Sequence, residues 1–465
     1  MSISKVTTFF IVISFIISLY LVNFTTYVHT QVETTIGNTA TSEAVTSIND
    51  AILKSLVIIS QVAILGIIFN YFFFSIFLNK KRDNVLHEPR QNIIYFHIRT
   101  LNLKRVTSVV IICCVSVIIF STGSILLQSY QLAQNLDMYI LSAFDILDTT
   151  SVGQVWLIRV MTSSTIIGVM LTLYITYRKM NKAKRRNSEN LDKSALNKID
   201  FSNNISNQIL LLIVIALSSI NLFSNSMVSH SNSLPSFSGF AVSVDWIHFM
   251  AVSIWIGGLF YLSLVLVKNL KPIDDHKDKS NSINTIFDVS NSMRSVHSIS
   301  IALMYFSFIV IIALCIIGIS GLYLGYVHLL DLNSVFDTQY GQILVLKLAL
   351  AFPLIFIGRH NQLKIHTYTS LTSSIVKELR NARDNNILQK YRENRTTLYI
   401  ALNKSLKIES LLGISVLIVA AFLSVTSPPS LEALDQGSNL IQNTDNTNTG
   451  NSNDSFFSYL VITLA

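Results

Sequence analysis

The chain has 465 residues, 51% of them apolar and only 13% charged, with a mean hydropathy of +0.51. A soluble domain carries about 25% charge, so this composition excludes an ordinary soluble protein and points to lipid. The formal net charge of +8 lies in loops between apolar segments, which is a membrane-orientation pattern rather than a nucleic-acid footprint.

Apolar runs fall near residues 6–24, 53–77, 106–127, 153–177, 207–224, 243–267, 299–326, 341–358 and 408–427. A spanning helix needs about 20 such residues, and backbone polar groups in lipid must be satisfied within the segment. The runs therefore predict an all-α polytopic membrane protein of about nine spans. The first run follows Lys5 and reads as a secretory signal or a retained helix. With no small-residue cleavage site soon after it, a retained helix is expected.

The first half carries few chemically distinctive groups within its runs. Cys113 and Cys114 are adjacent, so they point about 100° apart on a helix and read as packing residues. Arg159 lies about two turns below the nearer end of its run, where a cation either faces protein and water or snorkels to the interface. Between the halves, Met227 and His230 sit one turn apart, and they read either as collectors of a metal or as solvated loop residues.

The segment DWIHFMAVSIWIGGLFYLSLVLV, residues 245–267, is the most informative. Asp245, His248, Val252 and Trp255 recur at three, four and three residues, on one helical face. A neutral imidazole is a good ligand for copper or haem iron, and a carboxylate one turn away can orient the ring or attract a cation. The alternative is a structural histidine bonded to a neighbouring carbonyl. Gly257 and Gly258 would let another helix approach closely.

The next run adds His297, Met304 and Cys315 at helical spacing, with Met293 one turn before His297. Imidazole, thioether and thiolate together suit Cu(I), although Met and Cys in apolar helices commonly serve packing. Gly318, Gly321 and Gly325 on the same run read as close-packing residues, the last two in GxxxG spacing. His328 lies just beyond it, and Lys347 opens the following run. The polar loops near 181–204 and 270–292 should be mobile, and the Asn-, Thr- and Ser-rich tail from Ser430 should be disordered.

Charge sorts absolutely between alternate loops. Segments 78–105, 178–206, 268–298 and 359–407 hold 7, 8, 5 and 10 Lys or Arg, whereas 27–52, 128–152, 225–242, 327–340 and 428–465 hold none. The positive-inside rule then puts the N-terminus in the cytoplasm and the tail outside a plasma membrane.

The chain also repeats itself. LDTTSVGQVWLIRV (147–160) and FDTQYGQILVLKL (336–348) both carry Asp-Thr, then Gly-Gln, then a basic residue six positions after the Gly, Arg159 and Lys347 respectively. Both strings open helices running the same way, so the reading is one extra helix (1–52 with its loop), a four-helix half (53–240), a second such half (241–428) and the tail (429–465). No Walker-type loop, Cys-x-x-Cys or HExxH is present, so neither an ATP-driven pump nor a common zinc hydrolase is suggested.

These strings carry a resemblance. HFMAVSIWIGGLFYL resembles the His-(x)6-Trp-x-Gly-Gly-Leu signature of the copper-resistance protein D family, and GISGLYLGYVHL with DTQYGQILVLKLAL resembles its Gly-rich and Tyr-Gly-(x)4-Leu-Lys helices. His248, Trp255, Gly257, Gly258, Tyr340, Gly341 and Lys347 match that pattern. The resemblance implies transport of copper across the plasma membrane, inward rather than outward, without catalysis. Asp245, His248, Met227, His230, Met293, His297 and Met304 would serve as metal ligands along the path. Some relatives carry an extracytoplasmic copper-binding domain. The first outer loop here is about 26 residues, too short for one, so copper ion, lipid and a separate copper-binding protein are the expected partners. A second resemblance, to the His-(x)6-Trp-x-x-Gly-Leu string of the membrane protoporphyrinogen oxidase family, implies haem b and oxidoreductase chemistry instead. A sensor or assembly factor without transport is the blandest alternative.

Overall fold

The structure, a computed structural model, describes residues 38–83, 92–187, 205–233, 238–267, 282–329, 331, 333–381 and 385–430. The described residues are helical, without a strand. The helices are α1 (Asn38–Asp83), α2 (Asn92–Asn135), a short α3 (Ile140–Asp148), α4 (Ser151–Asn187), α5 (Ile205–Met227), α6 (Ser238–Leu266), α7 (Ser282–His328), a one-turn α8 (Ser334–Asp337), α9 (Gln339–Asn381) and α10 (Asn385–Leu423). Eight of them are long and apolar enough to cross a membrane. The ninth expected span, 6–24, and the tail beyond Ser430 lie outside the described residues.

The helices outrun their apolar cores. α4 stays helical to Asn187 and α7 is already helical at Ser282, so the polar loops expected at 181–204 and 270–292 are shorter than their composition suggests. Lys, Arg and Asn tolerate a helix well enough for it to continue past the lipid boundary. The sequence also did not reveal α3, an amphipathic helix of about two and a half turns burying Ala143 and Leu147 while Leu141 stays exposed.

Packing follows from which helices can be buried on all sides. α1, α2, α4 and α5 form one ring of neighbours, and α6, α7, α9 and α10 form another. α1 and α6 touch across the junction, with α10 also against α1. In their most apolar windows α1 is 72% buried and α6 67%, against 11% for α7 and α9. The two central helices are thus enclosed by protein on most sides, while α7 and α9 present Phe308, Ile319, Leu322, Phe352 and Phe356 outward. Such a face would aggregate in water and is what lipid contact requires.

The α1–α6 junction is a backbone contact. A Cβ on Gly66 would overlap the backbone of Ser253 and Gly257, and one on Gly257 would overlap the carbonyl of Val62. Asn70 Nδ2 donates across the same seam to the carbonyl of Ile254 at 3.2 Å. A Cβ on Gly258 would meet the ring of Phe306 from α7 and the amide of Asn70 from α1. Just here α6 departs from α-helical winding, with π turns at Ser253–Gly257 and Leu262–Leu266. A π turn inserts one extra residue, and Trp255 within it is part of the buried core.

Candidate functional site

Four of the seven buried polar side-chain atoms without a hydrogen-bond partner among the described residues belong to one region: Ser226 Oγ, His230 Nε2, Asp245 Oδ2 and His328 Nδ1. Buried polar groups are ordinarily paired, so this concentration marks the place where the fold leaves binding capacity unused. The region lies toward the membrane end at which segments 128–152, 225–242 and 327–340 carry no Lys or Arg; it is called the cation-free end below.

Its deepest member is His248, ten residues into α6 from Ser238, about 15 Å along the axis. Nδ1 lies 2.9 Å from Ser320 Oγ on α7. The Ser320 hydroxyl donates its one proton to the carbonyl of Ile316 at 2.6 Å, so toward His248 it accepts. The imidazole therefore carries its proton on Nδ1, and the backbone of Ile317 also bonds the ring. That tautomer leaves a lone pair on Nε2, the form a metal or proton would engage. Gly321 makes room for the ring: a Cβ there would sit 3.6 Å from His248 Cε1. Its role is to admit the imidazole, not to seat a neighbouring helix. Among the described residues, nothing packs where a Cβ on Gly318 or Gly325 would project.

One turn toward the cation-free end, Asp245 faces Ser226 and Ser229 at the end of α5. Lys347 of α9 interacts electrostatically with both Asp245 and His248, and Tyr340 lies within the field of Asp245. A carboxylate and an ammonium in one buried pocket offset each other's charge and each other's desolvation. Gly341 permits the tight start of α9, since a Cβ there would strike the carbonyls of Ser334 and Val335.

Nearest the cation-free end, His230 opens a 3-10 turn after α5, and His328 closes α7. Their ring centroids are 6.3 Å apart at 77°, and His328 lies 6.3 Å from the Tyr340 ring. Burial, reinforced by the neighbouring His328 and Lys54, pushes the His230 imidazole down to about 4, so it is neutral at physiological pH.

The structure thus gathers Asp245, His248, His230, Tyr340 and Lys347, and adds His328, Ser226, Ser229 and Ser320. Met227 ends α5 beside Ser226. The side chains of Met293, His297 and Met304 lie outside the described residues. Cys315 is exposed on the α7 surface, so the soft-ligand stripe does not face the interior at its level, while Cys113 and Cys114 are buried. Among the described residues, no three His, Cys, Asp or Glu side chains gather as a metal-binding group.

The first half answers the same position differently. Arg159 points into protein, not to the interface: Nε donates to Ser224 Oγ at 2.9 Å and a terminal nitrogen donates to Asn225 Oδ1 at 2.8 Å. Asn225 in turn donates to Gln61 Oε1 at 2.7 Å, Gln61 to Asn221 Oδ1 at 2.6 Å, and Asn221 to Thr162 and Ser163 at 2.8 and 2.9 Å. Asp50 contributes charge to Arg159 while pairing with Lys54 at 3.4 Å. This network binds α1, α4 and α5 together with its polar groups largely used up. The sequence reading passed over it, although Gln61, Asn221 and Asn225 inside apolar runs were the available signal. It also passed over Glu409, a buried carboxylate of α10 whose Oε1 lies 3.0 Å from where a Gly358 Cβ would be.

Residues 301–423 match the family described as Copper resistance protein D. The matched stretch contains Ser320, Gly321, His328, Tyr340, Gly341 and Lys347, while α6 with Asp245 and His248 precedes it. No curated protein matches the chain, and no solved structure does.

Proposed function

We propose that this chain, matched over residues 301–423 by the copper resistance protein D family, carries copper ions across the plasma membrane through its second four-helix half, inward. The observation that carries the reading is His248, held by Ser320 in the tautomer that frees Nε2, one turn from a buried carboxylate with an unused oxygen. The positive-inside rule makes the cation-free end the outside. Copper reaches the protein there, from a separate extracytoplasmic copper-binding protein, at Met227 and His230. It is drawn inward by Asp245 and passes Nε2 of His248. His297, Met304 and Met293 then serve its release on the cytoplasmic side. Lys347 beside Asp245 keeps the pocket from becoming a net anionic trap. A pathway needs sites strong enough to admit an ion and weak enough to release it.

The test is uptake of copper by liposomes containing the purified chain. Wild-type protein is expected to carry copper across the bilayer, and His248→Ala to reduce the flux at least tenfold. Absence of flux from the wild type sinks the transport reading, and undiminished flux in the variant removes His248 from the path.

A further inference from the structure

We infer that His230 and His328 form a two-imidazole site for monovalent copper at the outer mouth, the first station an arriving ion occupies. The inference rests on the copper-transport reading for the identity of the metal, but its geometry is independent of that reading.

Each ring has one buried nitrogen without a hydrogen-bond partner among the described residues. In His328, Nε2 lies 3.4 Å from Ser231 Oγ, and Nδ1 is buried without a partner. In His230, the backbone of Thr426 bonds the ring and Nε2 is buried without a partner. The site takes the tautomer in which Nε2–H of His328 donates to Ser231 Oγ and Nδ1 keeps its lone pair, a hydrogen-bonded second nitrogen being the usual support of a metal-ligating histidine. The two rings stand almost perpendicular with centroids 6.3 Å apart, close enough for a small displacement of either to place one ion between the two open nitrogens. A purely structural pair would have bonded those nitrogens to neighbouring hydroxyls or carbonyls, because an orphaned buried acceptor costs about 1–3 kcal/mol.

The donor count selects the ion. Zinc takes four tetrahedral ligands, and Cu(II) prefers a tetragonal set. Among the described residues, no third His, Cys, Asp or Glu converges with this pair. Two neutral imidazoles alone satisfy a d10 monovalent ion, which accepts two-coordination. His230 follows the last helix of the first half and His328 ends the second helix of the second half. The ion would therefore bridge the halves, with Tyr340 beside His328 and then Asp245 leading inward.

The purified full-length chain in detergent is titrated with Cu(I) against a chromophoric Cu(I) chelator, and the bound copper is examined by X-ray absorption. One equivalent held by two imidazole nitrogens is expected. His230→Asn and His328→Asn each remove that equivalent, and the double variant loses no more than either alone. Ser231→Ala retains it with about 10–100-fold weaker affinity. Zn(II) in equal concentration does not displace it. Survival of the equivalent in either Asn variant, or its displacement by Zn(II), overturns the site. Size-exclusion profiles report whether the Asn variants remain folded. If they do not, Ser231→Ala decides, and unchanged affinity there overturns the proposal. A wild type that holds the equivalent yet moves no copper into liposomes refutes transport and leaves the site standing. One that moves copper while neither histidine variant loses the equivalent does the reverse.

Discussion

Replacing Gly257 by alanine probes the seam on which the whole assembly is built. The added Cβ would overlap the Val62 carbonyl and lie 2.7 Å from the Cα of Gly66. Ordinary carbon contacts begin near 3.5 Å, so α1 and α6 must separate by about 1 Å. Neither obstacle is a side chain that can swing aside, because both are helical backbone. Overpacking of this kind costs about 1–3 kcal/mol, and the backbone clash puts Gly257→Ala at the upper end. Alanine returns roughly 1 kcal/mol of helix propensity, leaving a net loss of about 2 kcal/mol, some thirtyfold in the folded-to-unfolded ratio. Gly318→Ala supplies the control, since a Cβ there meets nothing within 4 Å and should stabilise by about 0.5–1 kcal/mol. The assay is reversible unfolding in mixed micelles, followed by circular dichroism. Gly66→Ala should match Gly257→Ala, and the double variant should cost less than their sum because the first change already opens the seam. Equal stability of Gly257→Ala and Gly318→Ala would refute the backbone contact.

Ser320→Ala should leave the fold intact but release the His248 ring, lowering copper uptake into liposomes about tenfold; unchanged uptake would show that Ser320 does not orient the ring. Arg159→Met should destabilise the protein by about 2–4 kcal/mol in the same unfolding assay, through two lost charge-assisted bonds to Ser224 and Asn225, while copper uptake per folded molecule stays at the wild-type level. A selective loss of uptake would place the path in the first half. His230, displaced downward to about 4 by burial, should titrate near that value in histidine-resolved NMR of the metal-free protein. An unfolded histidine titrates near 6.5, so its contribution to stability is whole above about 6.5 and declines as pH falls toward 4. A midpoint at 6.5 would contradict its burial.

Span positions, the helical class and the charge sorting were legible because lipid imposes long apolar runs, and loops on one side collect Lys and Arg. His248, Asp245 and Lys347 could be singled out because ionisable groups inside apolar runs are costly and therefore conspicuous. Partnership was not legible. Ser320 looks like one more small polar residue until α7 brings it 2.9 Å from the imidazole. The π turns of α6 leave no spacing signal either. Gly257 and Gly321 share a residue type but serve different ends, one meeting backbone and the other an aromatic ring, and only packing distinguishes them. Arg159 and Lys347 occupy matching positions in the repeated strings, yet one is absorbed into an amide and hydroxyl network while the other faces a carboxylate and an imidazole.

The contact between Gly66 and Gly257 also has a mechanical meaning. Two helices that meet backbone to backbone at a glycine pair can turn about their point of contact but cannot slide far along each other without collision. If one four-helix half rocks against the other to expose the copper path alternately to each side, displacement is least at the pivot and grows with distance from it. The glycine seam is then the fulcrum. Spin labels flanking it would report a constant separation through the cycle, while labels near His230 and Ser410, toward opposite membrane faces, would change theirs in opposite senses.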